Sequence, residues 1–284
     1  MTYGWAILVI AVVLGVLFQL GVFGSANLAP KAKAGQCQVQ IVGSGSSTTH
    51  QLAGLCSPEL PQYVAQFGGN SYIYIPSHVT PGGVTTAFSV FAWVYVPVAP
   101  NGDSHGGVVE QECSGTCTWF VELVSNGAGS VSPCYYYDGS NYNWCSYSTP
   151  LDFPLDTWEF VGFVVTSSNI YAYADNQEVT VGASYATNSL AVFPTWIGTR
   201  GDGICGTCIT GDIADVQAYN ASLTQAEVDA LYMEGIGGAP VRPQNLTGWW
   251  PLNGNTNDYS GNNNNGQNNG ASYSSFWTSG YSAP

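Results

Sequence analysis

The sequence predicts a mainly β fold, a disulfide-bonded β-sandwich preceded by one long apolar helix. The helix is indicated by residues 5–23, which carry no charge. The sandwich is indicated by short runs of β-branched and aromatic residues from residue 65 onward, separated by Gly, Pro, Asn and Asp. The disulfides are indicated by eight cysteines in a chain of 284 residues.

Charged side chains are scarce. Only 4 residues are Lys or Arg and 18 are Asp or Glu, so 8% of the chain is charged, against about 25% in an ordinary soluble domain. The net charge of −14 excludes nucleic acid and anionic membrane surfaces as partners, because clustered Lys and Arg bind both. With 45% hydrophobic residues the chain can bury a core, which excludes disorder.

The first predicted element is a hydrophobic helix over residues 1–25. Trp5 to Phe23 is a 19-residue run without a charge, about the length that crosses a ~30 Å hydrocarbon layer at 1.5 Å per residue. No Lys or Arg precedes this run, whereas a secretory signal peptide has a basic start. Residues 26–36 follow as a linker, in which Pro30 disfavours a continued helix.

The helix opens with Met1-Thr2-Tyr3-Gly4-Trp5-Ala6-Ile7-Leu8-Val9-Ile10. This stretch resembles the N-terminal helix of archaeal type IV pilin-like proteins, although that family's basic-Gly cleavage signal and helix Glu do not occur in it. The resemblance implies a membrane anchor that later packs with its copies in the core of a homopolymeric filament. A plain single-span anchor is the alternative. The resemblance implies helix-packing contacts from Tyr3, Trp5, Ile10, Val13, Leu17 and Leu20.

The cysteines predict disulfides in an oxidising compartment. The clearest pair is Cys134 with Cys145, because the turn-rich stretch 138–141 lies halfway between them and predicts a hairpin stapled at its open end. Zinc bound by the closely spaced cysteines is the alternative. The eight cysteines fall into four sequence-local pairs: Cys37 and Cys56, Cys113 and Cys117, Cys134 and Cys145, and Cys205 and Cys208.

The expected location is extracellular, on the cell surface, as a filament or a membrane-anchored protein. Asn220 and Asn245 begin N-glycosylation sequons, which agree with the cysteines. Lys31 and Lys33 favour a cytoplasmic C-terminus by the positive-inside rule. Two lysines weigh less than eight cysteines and two sequons.

The body, residues 37–284, is predicted as one disulfide-bonded domain of strands with a single helix. The helix runs from Gln225 to about Met233, because Thr224 and Glu227 form a capping box and a glycine follows. Alternating or apolar strand-like runs occur at Gln66 to Pro76, Phe88 to Val96, Trp158 to Val165 and Ile170 to Thr180.

These runs, and above all Gly211 to Tyr232, resemble the laminin-G-like, concanavalin A-like jelly-roll domain. The resemblance implies a jelly-roll β-sandwich in which that strand and short helix close the fold. Residues 249–276 resemble the opening strand and loop of the same fold, although they lie at the C-terminus. Completion of the domain's own sheets is favoured over donation to a neighbouring subunit.

A jelly roll can hold a glycosidase, whose two carboxyl groups must face each other. Glu110 and Glu112 would share one face of a strand, whereas Asp212 and Asp215 are expected on opposite faces. His50, His78 and His105 fall in loop-like sequence without a Ser or Cys motif. The chain is therefore expected not to be an enzyme.

Glycan binding is the favoured alternative to a purely structural role. Aromatic rings of the hairpin, namely Tyr135, Tyr137, Tyr142 and Trp144, are candidates for stacking on sugars. Calcium is the one candidate cofactor, with oxygen ligands from Asp258, Asn262 and Asn264. Arg200 opens an Arg-Gly-Asp tripeptide but is expected only to pair with a local carboxylate.

The function predicted from sequence is that of a pilin-like subunit of a surface filament, with the jelly-roll domain displayed outward for adhesion. The alternative is a single-span surface lectin that binds glycans without polymerising.

Overall fold

The computed structural model describes residues 37–44, 47–53, 60–80, 87–100, 105–113, 117–127, 129–137, 142–144, 151–183, 193–200 and 207–284. The chain divides into two compact units, Met1–Ala32 and Lys33–Pro284. The predicted N-terminal helix and linker lie outside the described residues, so their packing residues and boundaries stay predictions. Within the described residues, no helix is long and apolar enough to span a membrane.

The described residues of the second unit form strands, one α-helix and a short 3₁₀ turn at Pro243–Asn245. The helix α1 spans Gln225–Glu234. In chain order the strands are β1 (Gln38–Ser44), β2 (Ser47–Ala53), β3 (Val64–Gly68), β4 (Tyr72–Ile75), β5 (Phe88–Tyr95), β6 (His105–Cys113), β7 (Cys117–Ser125), β8 (Ser130–Tyr137), β9 (Tyr142–Trp144), β10 (Phe153–Pro154), β11 (Trp158–Val165), β12 (Asn169–Ala174), β13 (Gln177–Ala183), β14 (Thr195–Ile197), β15 (Thr210–Tyr219), β16 (Leu246–Trp250), β17 (Gln267–Asn269) and β18 (Ser272–Ser274).

Two eight-stranded antiparallel sheets make up the body. Sheet 1 has the order β10-β8-β7-β6-β14-β4-β17, with β9 also paired to β8. Sheet 2 has the order β13-β12-β11-β5-β15-β3-β18, with β16 also paired to β15. Strands β1 and β2 form a separate hairpin. The predicted β-sandwich is thus confirmed.

The core lies between the two sheets. Sheet 2 contributes Phe88 and Phe163, and sheet 1 contributes Trp119, all three with no exposed surface. Their rings contact one another, with Phe88 and Trp119 centroids 5.1 Å apart. Side chains on every second residue of each strand supply this core, as the two-residue period of a strand requires.

A second apolar layer covers the outer face of sheet 2. Phe91 stacks on Phe160 at 5.0 Å, and Trp93 stacks on Tyr232 of α1 at 5.8 Å. The capping box of α1 is confirmed, because the Thr224 backbone N–H donates to Glu227 Oε2 at 2.8 Å. The outer face of sheet 2 is therefore covered by α1 and by residues near the C-terminus, such as Trp277 and Tyr281.

The C-terminal segment completes both sheets of its own chain. β16 and β18 extend sheet 2 beside β15 and β3, while β17 extends sheet 1 beside β4. Trp277 then packs against Trp158, whose Nε1 donates to the Trp277 carbonyl at 2.8 Å. In the structure, residues 249–276 close the sandwich in cis, the arrangement that the sequence favours.

Two predictions about individual strands are wrong. The run Gln66 to Pro76 is two strands, because Gly69 takes φ 80° and turns the chain from sheet 2 into sheet 1. Asp212 and Asp215 both lie on the outer side of sheet 2, because Asp215 takes φ 49° in a bulge of β15. Asp215 there accepts a hydrogen bond from Trp249 Nε1 at 2.8 Å.

Several carboxyl groups on and beside sheet 2 are buried or half-buried. Burial raises the pKa of Asp215 to about 7 and that of Asp212 to about 6. Burial, together with the nearby Asp175, raises the pKa of Glu159 to about 8. Burial also raises the pKa of Asp175. The folded domain therefore favours the protonated, neutral forms of these groups.

We expect the domain to be more stable in mild acid than in mild base. A carboxyl whose folded pKa is raised contributes its full stability below its unfolded pKa near 4 and loses it as pH rises through the folded pKa. The melting temperature should fall by several degrees between pH 5 and pH 8.5, since 1 kcal/mol corresponds to about 2–4 °C in a domain of this size. Asp215→Asn should flatten this dependence, and a melting temperature that rises with pH would contradict it.

Candidate functional site

The outer face of sheet 1 carries the strongest candidate site. Tyr72 and Tyr74 alternate along β4 with Ile73 and Ile75, which point into the core. In the same way Trp196 precedes the core residue Ile197 on β14. Because successive side chains leave a strand on opposite faces, the two tyrosines and Trp196 point outward.

Strand register aligns outward side chains into one row across sheet 1. Gln267 of β17 is opposite Tyr74, Tyr74 is opposite Trp196, and Trp196 is opposite Glu110 of β6. Glu110 is opposite Phe120 of β7, and Phe120 is opposite Tyr136 of β8. We call these six residues the outer row: Gln267, Tyr74, Trp196, Glu110, Phe120 and Tyr136.

One end of the outer row is an aromatic platform, formed by Tyr72, Tyr74 and Trp196. The Tyr74 and Trp196 ring centroids are 4.7 Å apart and those of Tyr72 and Trp196 are 5.3 Å apart. All three side chains are partly exposed. Partly exposed rings held this closely offer an apolar surface to a ligand while keeping fixed positions.

Exposed amides border the platform. Gln267 is opposite Tyr74 and Asn269 is opposite Tyr72, and both are exposed on β17. Asn269 Nδ2 donates to the Gln267 carbonyl at 3.0 Å. The amide of Gln267 can both donate and accept hydrogen bonds, beside a surface that is otherwise aromatic.

Beyond the platform, the outer row passes a buried acidic region, in which Glu110 belongs to the row and Glu122 lies two residues after Phe120 on β7. Glu110 and Glu122 have no exposed surface. His105 Nδ1 lies 2.5 Å from Glu122 Oε2, and Arg200 Nε lies 3.7 Å from Glu122 Oε1. The Arg200 guanidinium also sits over the Phe120 ring, 5.9 Å from its centroid. Arg200 thus pairs with a local carboxylate, as the sequence predicts.

The family of the chain follows from comparison of its sequence with models of known protein families. Residues 67–229, more than half of the chain, match the family model of the concanavalin A-like lectin/glucanases superfamily. The chain belongs to this superfamily. No curated protein matches it by sequence. The predicted concanavalin A-like jelly-roll sandwich is confirmed.

Solved structures share this fold at low sequence identity. A Bacteroides ovatus protein described as carbohydrate-binding has a TM-score of 0.56 and 15% identity, over 86% of this chain and 70% of that one. The enzymatically active domain of tailspike protein 2 from bacteriophage CBA120 has a TM-score of 0.50 and 11% identity, over 69% of this chain and 33% of that one.

The predicted stacking residues of this concanavalin A-like domain need correction. The hairpin is confirmed, because β8 pairs with β9 and places Tyr135 opposite Trp144 and Tyr137 opposite Tyr142. Tyr135 and Tyr137 are each only 1% exposed and belong to the core between the sheets, so neither ring can reach a glycan. The side chains of Tyr142 and Trp144 lie outside the part of the structure described.

The predicted calcium ligands instead form a hydrogen-bonded loop. Asp258 Oδ1 accepts from the backbone N–H groups of Trp249 and Ser260, and Oδ2 accepts from the Asn264 N–H and the Ser260 hydroxyl. A carboxylate offers about four acceptor sites, so none is left for a cation. Asn262 and Asn264 donate their amides to backbone carbonyls of β16. The three side chains therefore do not fit a calcium site.

The remaining predicted residues are only partly described. Cys37, Cys134 and Cys208 are each disulfide-bonded, so Cys208 offers no thiolate to the alternative zinc site. The pairing of all eight cysteines stays a prediction, and Cys56, Cys145 and Cys205 lie outside the described residues. The side chain of Glu112 is also outside them. His50 and His105 lie on strands instead of loops.

The two sequon asparagines contact each other. Asn245 Nδ2 donates to Asn220 Oδ1 at 3.0 Å, and the Asn220 N–H donates to the Asn245 carbonyl at 2.9 Å. Asn220 is exposed, whereas Asn245 is partly buried. Glycosylation at either position stays a prediction.

Sequence reasoning missed the platform. The signal for Tyr72 and Tyr74 was present, because both alternate with isoleucines inside a predicted strand run. Trp196 lies on a strand of three residues, which is too short to show a period. Its position beside Tyr74 depends on pairing between strands that are far apart in the chain.

We expect Glu122→Ala to destabilise the concanavalin A-like domain by about 1–3 kcal/mol, since the buried carboxylate is the partner of His105 and Arg200, which are themselves partly exposed and regain water when it is removed. Denaturant unfolding measures this change. Glu234→Ala is the control, because Glu234 is an exposed acid in the last turn of α1 and should change stability by no more than ~0.5 kcal/mol. Equal stability of the two variants would contradict the pairing.

Proposed function

We propose that the domain binds glycans on the outer face of sheet 1, with the aromatic platform as the stacking surface. The main support for this proposal is the set of three partly exposed rings, Tyr72, Tyr74 and Trp196. The Trp196 centroid lies 4.7 Å from that of Tyr74 and 5.3 Å from that of Tyr72. Sugar rings present apolar C–H faces to such rings and hydroxyl groups at their edges. The amides of Gln267 and Asn269 border the platform, where they can form hydrogen bonds with the hydroxyl groups of a bound sugar.

Charge supports a neutral glycan as the ligand. Among the described residues, the outer row and its surroundings contain the acids Glu110 and Glu122 and one guanidinium, that of Arg200, which already pairs with Glu122. A carboxylated or sulfated sugar would meet net negative charge here. The carbohydrate-binding description of the Bacteroides ovatus structure agrees with glycan binding.

We propose binding without hydrolysis. Glu110 and Glu122 are fully buried, and a catalytic carboxyl must contact the glycosidic oxygen or the anomeric carbon. Hydrolysis of a common polysaccharide that disappears in Glu110→Gln would overturn this part of the proposal.

The test is Trp196→Ala in the full chain, with binding measured by isothermal titration calorimetry. The ligands are neutral gluco-, manno- and galacto-oligosaccharides and their uronic acid counterparts. We expect at least tenfold weaker binding of the neutral ligand, a change of ~1.4 kcal/mol, and no binding of uronic acids.

Phe276→Ala is the matched control, because Phe276 is an aromatic residue that is 91% exposed and lies outside the platform. Its affinity should equal that of the wild type. Unchanged affinity in Trp196→Ala, or stronger binding of acidic than of neutral glycans, would contradict the proposal.

We further propose that residues 1–25 assemble identical chains into a surface filament, after a membrane-anchored stage, and so display the glycan-binding domain outside the cell. The resemblance of residues 1–10 to archaeal pilin-like proteins supports this part. An uncharged helix tolerates both lipid and a core of identical helices.

Gln19→Glu should abolish filaments, because an unpaired charge in an apolar helix core is strongly unfavourable. Gln19→Leu is the control and should leave them intact. Negative-stain microscopy of native material measures the outcome. Normal filaments from the charged variant, or no filaments from the wild type, would leave the single-span lectin as the better description.

A further inference from the structure

A cleft lies on the outer face of sheet 2, on the opposite side of the sandwich from the aromatic platform. Helix α1 and the chain end cover much of the outer face of sheet 2, but an open cleft of about 330 Å³ remains where β3, β15 and β18 run side by side. Its lining includes Gln66, Tyr95, Thr210, Asp212 and Ser272. None of these residues belongs to the outer row.

Glycines form part of the lining of this cleft. Gly68, Gly211 and Gly270 all line it. A Cβ on Gly211 would lie 2.2 Å from the Tyr95 carbonyl oxygen, and Gly270 takes φ 87°. Glycine within a strand often marks a close approach of backbone or ligand. Glycine at residue 211 therefore lets β15 approach the backbone of β5 closely, and the three glycines leave part of the cleft lining without side chains.

Asp212 is the central polar group. Its side chain lies on β15 and is only 7% exposed, and Gln66 hydrogen-bonds to it. Of the described residues that line the cleft, none is Lys, Arg or His. One carboxyl partnered by an amide keeps acceptor sites free for a ligand. Burial raises the pKa of Asp212 to about 6, as expected for a carboxyl shielded from water.

The rest of the lining is matched to a sugar. Tyr95 forms one wall, and its hydroxyl donates to Asp156 Oδ1 at 3.1 Å, which fixes the ring. Thr210 and Ser272 add hydroxyls, and Gln66 adds an amide. An acid that accepts from two neighbouring hydroxyls, an amide that donates, and a fixed ring suit one polyhydroxylated ring. The volume is at the lower end of ligand pockets, about 300–1,000 Å³.

We propose that this cleft is a second glycan-binding site, which holds one terminal neutral sugar through a pair of adjacent hydroxyls on Asp212. With the platform on sheet 1, each domain then has two sites that face away from each other. One domain can bridge two glycan chains, and an array of domains gains avidity from both faces.

A primary amine, such as a lysine side chain of a partner, is the competing ligand for a buried acid. The uncharged groups favour the sugar, because an ammonium has three donors and no acceptor and so cannot accept hydrogen bonds from the hydroxyl groups of the lining. Amine binding is therefore an outcome of the test that would overturn the proposal.

The test counts sites on the full chain with methyl glycosides of glucose, galactose and mannose, and with methylamine as the competing probe. Chemical-shift titration is the readout, and the variants are Trp196→Ala, Asp212→Asn and the double variant. We expect two sites in the wild type, one in each single variant, and none in the double variant. Asp229→Asn, on the surface of α1, should keep both sites.

The outcomes separate this inference from the proposed function. If Asp212→Asn leaves binding in the Trp196→Ala background unchanged, or if Trp196→Ala alone abolishes all sugar binding, the second site is refuted while the platform stands. If Asp212→Asn abolishes all binding and Trp196→Ala changes nothing, the platform is refuted while the cleft stands. Methylamine binding lost in Asp212→Asn, without sugar binding there, would overturn the sugar assignment.

Discussion

The burial of one face of sheet 1 against sheet 2 is the constraint on which the candidate site depends. Since strand side chains alternate, fixing Ile73, Val109, Trp119 and Tyr135 in the core fixes their neighbours on the outside. The outer row is the necessary counterpart of that core. A one-residue slip of β4 would exchange its two tyrosines for two isoleucines and remove most of the platform.

Sheet 2 also buries one face against the other sheet, but its outer face is covered as well. Its outer face is apolar too, and α1, Trp249 and Trp277 cover it. The cover stops before the ends of β3 and β15, and the residues that line the cleft there include glycines, amides, hydroxyls and one acid. The two faces of the sandwich thus carry unlike surfaces, an aromatic platform of mutually tilted rings on one and a small polar cleft on the other.

The sequence was most informative where local chemistry decides structure. The capping box at Thr224 and Glu227, the Tyr135 to Trp144 hairpin, and the strand character of Phe88 to Tyr95 were all readable, because each depends on neighbours within about ten residues. The outer row was not, since it joins residues from six strands between positions 74 and 267. Asp258 was misread because an acid that accepts four backbone and hydroxyl donors has the same sequence signature as an acid that binds calcium. Tyr135 and Tyr137 were misread because every second side chain of β8 points into the core. Only the pairing of β8 with β7 shows which residues of β8 do so.

The most direct test of the central claim is the indole N–H spectrum of the full chain, which has nine tryptophans, during titration with a neutral oligosaccharide. Binding at the platform predicts that the Trp196 signal moves, while those of Trp93 and Trp250, buried on sheet 2 and in the core, stay in place. Saturable binding with an unchanged Trp196 signal would contradict the account.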